Sequence, residues 1–303
     1  MPIDFKNSSR GLLNLCMGYF VFYITTGVAV KYFLAPAQQG YPGFNDITYL
    51  VYSTLGGTIL CLVVVIAGKW YRLPKSTPVS VLGMNVPREV LYLLPSGICT
   101  AVVIPTTTLM YSLPISVMVA MVIMRGAIII VSRLVDIIQT HQGILKKKVS
   151  WEENLAVAVA LLAVGLKIFW VGNDGKNHFA FLESPAALII LGAYIFAYSI
   201  RIYLMNYFKN SGSLQKVDNR AFFGIEQVVA SATLFSVGAL ILFSSSDLMQ
   251  VRQFQAAILN PPSEWPLAVL SGTAFGMVAF FSVFVLLFRL VDLVWQFLSI
   301  VVS

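Results

Sequence analysis

Apolar runs long enough to cross a bilayer as helices, separated by short polar breaks, recur along the whole chain. A spanning helix needs about 20 mostly apolar residues. Eight runs meet that length: 11–34, 47–69, 90–112, 114–137, 153–172, 184–206, 220–244 and 266–288. The longest break, 245–265, contains Pro261-Pro262 and ends at Trp265, an aromatic at a helix entry where the membrane interface favours one. A ninth run, 293–303, covers only about 16 Å as a helix, too little for a hydrocarbon core about 30 Å thick. The chain therefore reads as a fragment of a longer one that completes this span and adds a tenth.

Composition strengthens that picture. Of 303 residues, 58% are hydrophobic and 11% charged, against about 25% charged in a soluble domain. With a mean hydropathy of +0.83, the chain cannot cover a water-facing surface, and lipid must be its solvent. The expected fold class is an all-α, polytopic membrane helix bundle.

The net charge of +7 reports topology, not nucleic acid, because the basic residues sit in short loops between apolar runs. Of the 20 Lys and Arg, Lys31, Arg125 and Lys167 lie within spans. If the N-terminus is cytoplasmic, only Lys176 and Arg252 fall outside, and all the others face the cytoplasm. Such a bias fixes orientation in membrane proteins, and the expectation is N-terminus in. No cleavable signal peptide stands out, so the first run is a retained helix. Cys16, Cys61 and Cys99 each lie alone in an apolar run, without metal or redox spacing.

Five spans end near residue 172, and a second series starts near 184. An odd number of spans inverts the second series relative to the first, as in many secondary transporters. The expected organisation is a first five-helix repeat over 1–172 and a second, inverted and incomplete repeat over 173–303.

Charges inside spans carry the chemistry, because each costs several kcal/mol unless paired or hydrated. Arg125 lies midway along the fourth run. Ser132 and Asp136 share its helix face at about 100° per residue. That placement fits a cavity-lining cation for an anionic solute, or equally an interhelical tie to Glu226. Lys167 and Lys31 lie in the outer parts of their runs and can snorkel outward. Glu226 is the one acid clearly inside a span: a candidate proton or coupling site, or a salt-bridge partner of Arg125, Arg201 or Arg220. Pro105-Thr106-Thr107-Thr108 interrupts the third run, where freed carbonyls and hydroxyls such as that of Thr107 could meet a solute. Gly272 and Gly276 form a GxxxG pair suited to close helix approach.

The stretch LLPSGICTAVVIPTTTLMYSLPISVMVAMVIMRGAIIIVSRLVD, followed by KKKVSWEENLAVAVALLAVGLKIF, resembles spans three to five of the drug/metabolite transporter superfamily, and most closely its EamA-like and nucleotide-sugar-transporter-like members. The matching features are Arg125-Gly126 midway along the fourth span and a basic turn from Lys146 to Trp151, leading into a fifth helix with Gly165. The resemblance implies ten helices around a central cavity, with alternating access. It places Arg125 at a cavity-facing motif position and gives Lys167 a looser counterpart in organophosphate-binding members.

The function expected is therefore a secondary transporter of a small, anionic or polar metabolite. Its substrate-binding residues would be Arg125, Lys167, Ser132 and Thr107, and its coupling residue Glu226. The expected partners are that solute and the lipid bilayer, with a homodimer admitted and nucleic acid excluded. No cofactor, metal or catalytic residue is expected. A membrane-embedded enzyme or an assembly subunit of a membrane complex is the alternative. Against the enzyme, His141 and His178 fall in loops and no HExxH or Asp-rich motif occurs.

Overall fold

The computed structural model describes residues 9–72, 78–81, 84–113, 117–145, 184–210 and 219–287, with a few positions between 151 and 162. Eight α-helices follow one another: α1 (Ser9–Leu34), α2 (Asp46–Ala67), α3 (Arg88–Ser112), α4 (Val117–His141), α5 (Pro185–Asn210), α6 (Asn219–Leu242), α7 (Met249–Leu259) and α8 (Trp265–Leu287). A short antiparallel hairpin, β1 (Pro78–Val81) with β2 (Met84–Pro87), joins α2 to α3.

Six helices are long and apolar enough to cross a membrane: α1, α2, α3, α5, α6 and α8. They coincide with six of the apolar runs and mark the chain as a multi-pass membrane protein. Helix α4 occupies the fourth run but carries Arg125, Arg133 and Asp136. Most of the fifth run and all of the ninth lie outside the described residues, and the division into two five-helix repeats rests on them.

Local sequence explains the helix courses. The Asn45 side chain caps α2, its Oδ1 accepting the Thr48 N–H at 2.7 Å, and Asp46 in the first turn complements the helix dipole. Helix α3 corrects an expectation. Pro95 and Pro105 both lie inside it, yet the helix continues through them without interruption. The hydroxyls of Thr106 and Thr107 fold back onto the Val102 and Val103 carbonyls, bonds that stay within the turn around Pro105 and beside the Ala101 carbonyl that the proline deprives of its donor. The break at 245–265 is a second correction, because it contains the 11-residue helix α7.

Between apolar helices in lipid there is no solvent-driven attraction, so close packing and buried polar bonds must hold the bundle. Two groups of helices result. In the first, α2 and α8 approach backbone to backbone. A β-carbon on Gly56 would lie 1.8 Å from the Val269 carbonyl oxygen, and one on Gly272 would lie 2.1 Å from that of Ser53. Tyr49 and Ser271 share a hydroxyl hydrogen bond of 3.2 Å across the same seam. Helix α1 completes this group by stacking Phe22 on Phe281 of α8.

The second group is α3, α4, α5 and α6. Here Gly97 lets α3 close on Val229 of α6, and Gln139 of α4 donates to the Tyr203 carbonyl of α5 at 2.8 Å. Both groups contain helices from each half of the chain, so packing cuts across the sequence order.

Helix α7 touches both groups. The Tyr52 hydroxyl of α2 donates to the Ala257 carbonyl. Gln255 gives its amide hydrogens to the end of α6, at the carbonyls of Leu242 (3.1 Å) and Ser244 (2.8 Å). At the opposite end of the bundle, Trp70 beyond α2 packs against Phe223 of α6 and stacks on Phe280 of α8.

Candidate functional site

Two arginines and a carboxylate define the polar interior. Glu226 of α6 is 0% exposed and Arg201 of α5 is 3% exposed. They form a two-pronged pair: Arg201 Nε donates to Glu226 Oε1 at 2.9 Å, and Nη2 donates to Oε2 at 3.0 Å. From α3, the Ser96 hydroxyl (2.7 Å) and the Thr100 hydroxyl (3.0 Å) also donate to Oε1. Thus α3, α5 and α6 meet at a single carboxylate. Ser96 and Thr100 are one turn apart, so both hydroxyls project from the same face of α3. Of the partners expected for Glu226, the structure selects Arg201. The tie from Glu226 to Arg125 is not formed.

Arg125 stands in different surroundings. Its Cζ lies 4.5 Å from the centre of the Tyr23 ring and 5.1 Å from that of Tyr19, both on α1. Tyr19 and Tyr23 are four residues apart and stack at 5.3 Å between centroids. The wall continues through Tyr111 of α3, which is edge-on to Tyr23 and donates its hydroxyl to it. Tyr194 and Tyr198 of α5 add a third side, their centroids 5.3 Å apart, and both are electrostatic neighbours of Arg125. Tyr198 also lies 5.6 Å from Arg201 Cζ, which joins the two arginines into one cluster.

An arginine held against tyrosine faces gains attraction from the ring quadrupole, but a ring offers no lone-pair acceptor of the kind a carboxylate does. Among the described residues, Arg125 has no carboxylate or carbonyl partner, and it is only half-buried. Its side chain spans the join between the two helix groups, reaching from α4 to α1. Beside it, the Tyr19 hydroxyl is enclosed yet has no hydrogen-bond partner among the described residues.

The other expected residues divide. Asp136, on the Arg125 face of α4, accepts from Asn206 of α5 at 3.0 Å and lies 3.8 Å from Arg133, so it fastens α4 to α5. Ser132 is half-buried on α4. Thr107 is buried and spends its proton on the Val103 carbonyl at 2.7 Å, which directs it to the helix backbone. Lys167 lies outside the described residues. Lys31 sits exposed in the last turn of α1 with Asp46 as an electrostatic neighbour, at a helix end from which its stem can snorkel. The three cysteines are free.

A cavity of about 760 Å³ between α2, α6, α7 and α8 has no charged residue in its lining; Leu55, Phe235, Phe254 and Trp265 are typical of it. It offers an anion no cation, only neutral donors such as Thr54, Thr58 and Gln250. Among the described residues, no cluster of His, Cys, Asp or Glu could hold a metal.

The tyrosines are the part of the site that the search for charges missed. Their signal was readable, since Tyr19/Tyr23 and Tyr194/Tyr198 are both pairs at a spacing of four, which places each pair on one helix face. Compared with protein families, with curated proteins and with solved structures, the chain finds no match in any of the three.

Proposed function

We propose that the chain is a secondary, alternating-access carrier that moves a small anionic metabolite across a membrane, of the kind found in the drug/metabolite transporter superfamily. The observation that carries this reading is Arg125, a midspan guanidinium that faces tyrosine rings and has no carboxylate against it among the described residues. A cation without a counter-charge is costly in a membrane interior even when half-buried, and a transported anion would supply that charge. Its place at the join between two helix groups adds support, because groups that rock about a central site would change its access. The local resemblance around residues 93–169 points the same way.

In liposomes, purified protein is expected to take up an anionic solute without altering it. Arg125→Met should reduce uptake at least about 100-fold. Arg125→Lys should reduce it about tenfold, because an ammonium keeps the charge but loses the two-pronged geometry. Uptake by Arg125→Met at the native rate would refute the assignment.

The same reading sets the N-terminus on the cytoplasmic side. With the native cysteines replaced by serine, a membrane-impermeant maleimide added outside intact cells should modify a cysteine placed at position 178 and spare one at 147. The reverse labelling would invert the topology.

A further inference from the structure

We infer that the solute bound at Arg125 is a singly charged carboxylate, held by the Arg125 guanidinium and the Tyr19 hydroxyl together. This rests on the carrier reading above and narrows its substrate class.

Charge gives the first argument. Within the cluster, two guanidinium groups face one carboxylate, and that carboxylate belongs to Arg201 through two hydrogen bonds. One positive charge is left, on Arg125. Uncompensated charge is expensive in a water-poor interior. A monoanion brings the described cluster to neutrality, whereas a phosphate dianion or a dicarboxylate leaves it negative.

Hydrogen bonding gives the second. The Tyr19 hydroxyl is enclosed without a partner among the described residues, on the ring that Arg125 overlies at 5.1 Å. A buried hydroxyl with nothing to bond is destabilising on its own, and here it lies beside an arginine whose N–H groups also lack an acceptor among the described residues. A carboxylate has two oxygens and about four acceptor positions, enough to take two guanidinium hydrogens and the phenol hydrogen at once. The Tyr23 hydroxyl accepts the Tyr111 proton, so its own proton is a second donor, while the Tyr19 hydroxyl has no partner among the described residues.

The test uses the full-length protein in detergent, with benzoate, phthalate and inorganic phosphate as probes. Binding is read by thermal shift and by isothermal titration. Benzoate is expected to bind at least about tenfold more tightly than phthalate or phosphate at pH 7.5. Tyr19→Phe should weaken benzoate about tenfold while leaving the melting temperature equal or higher, because it removes an unbonded buried hydroxyl. A merely structural tyrosine would show the opposite pattern, with melting lowered and affinity kept, and that result would overturn the proposal. Tighter binding of phthalate or phosphate, lost in Arg125→Met, would overturn the monocarboxylate class and leave the carrier reading standing. If none of the three anions binds native protein, both the class and the Arg125 site fail.

Discussion

Glu226→Ala is expected to leave little folded protein, with a loss of about 3–5 kcal/mol, the cost of stranding one member of a buried ion pair. The loss falls on Arg201, whose guanidinium would remain 3% exposed with both of its bonds to the carboxylate removed. Ser96 and Thr100 would lose their acceptor as well, although Thr100 also bonds the Ser96 carbonyl within α3 at 3.0 Å. Arg201→Met should be comparably damaging, because it strands the carboxylate. The double change Arg201→Met, Glu226→Leu should recover most of the stability, since apolar replacements of whole buried pairs are often neutral. Melting of each variant in detergent, arranged as a double-mutant cycle, reads the coupling directly. Additive losses in the double variant would show that the pair is not what joins α3, α5 and α6.

The second large effect is steric. Gly56→Ala would place a methyl group 1.8 Å from the Val269 carbonyl oxygen, and Gly272→Ala would place one 2.1 Å from that of Ser53. Both obstacles are backbone atoms that no rotamer change can move, so α2 and α8 must separate. A loss of about 3 kcal/mol or more is expected from either, at the upper end for overpacking. Gly192→Ala on α5 is the internal control. Its β-carbon would meet nothing within 4 Å, and alanine in a helix interior is favoured over glycine by about 1 kcal/mol. Equal melting temperatures for Gly56→Ala and Gly192→Ala would mean that the seam is not tightly closed.

The spans were legible because lipid leaves a long apolar segment only one way to satisfy its backbone. Helix α7 was hidden for the opposite reason. MQVRQFQAAIL is short and mixed in polarity, lies between a serine-rich break and Pro261-Pro262, and gains its place from tertiary bonds by Tyr52 and Gln255.

At the site, Glu226 and Arg125 were recognisable as costly residues, whereas Arg201 read as a cytoplasm-facing cation and is instead buried within α5. Which arginine meets the carboxylate depends on the rotation of α4 and α5 about their axes. Helices with apolar residues on every side do not encode that rotation in their periodicity. The glycines show the same limit: Gly272 and Gly276 announce a close approach, and only the structure supplies Gly56 and Gly57 as the facing surface. Tyrosines escaped notice because hydropathy treats them as neither charged nor strongly apolar.

Helix α7 also sets the mechanics. It is bonded to α2 on one side and to the end of α6 on the other, so at that end of the molecule the two helix groups are held at a fixed distance by directional bonds. At the far end, Trp70 packs against Phe223, and its backbone carbonyl oxygen would lie 2.5 Å from a β-carbon on Gly224, a close approach that involves no hydrogen bond. On the carrier reading proposed above, a change in how the two groups sit together would meet directional bonds near α7 and van der Waals contact near Trp70.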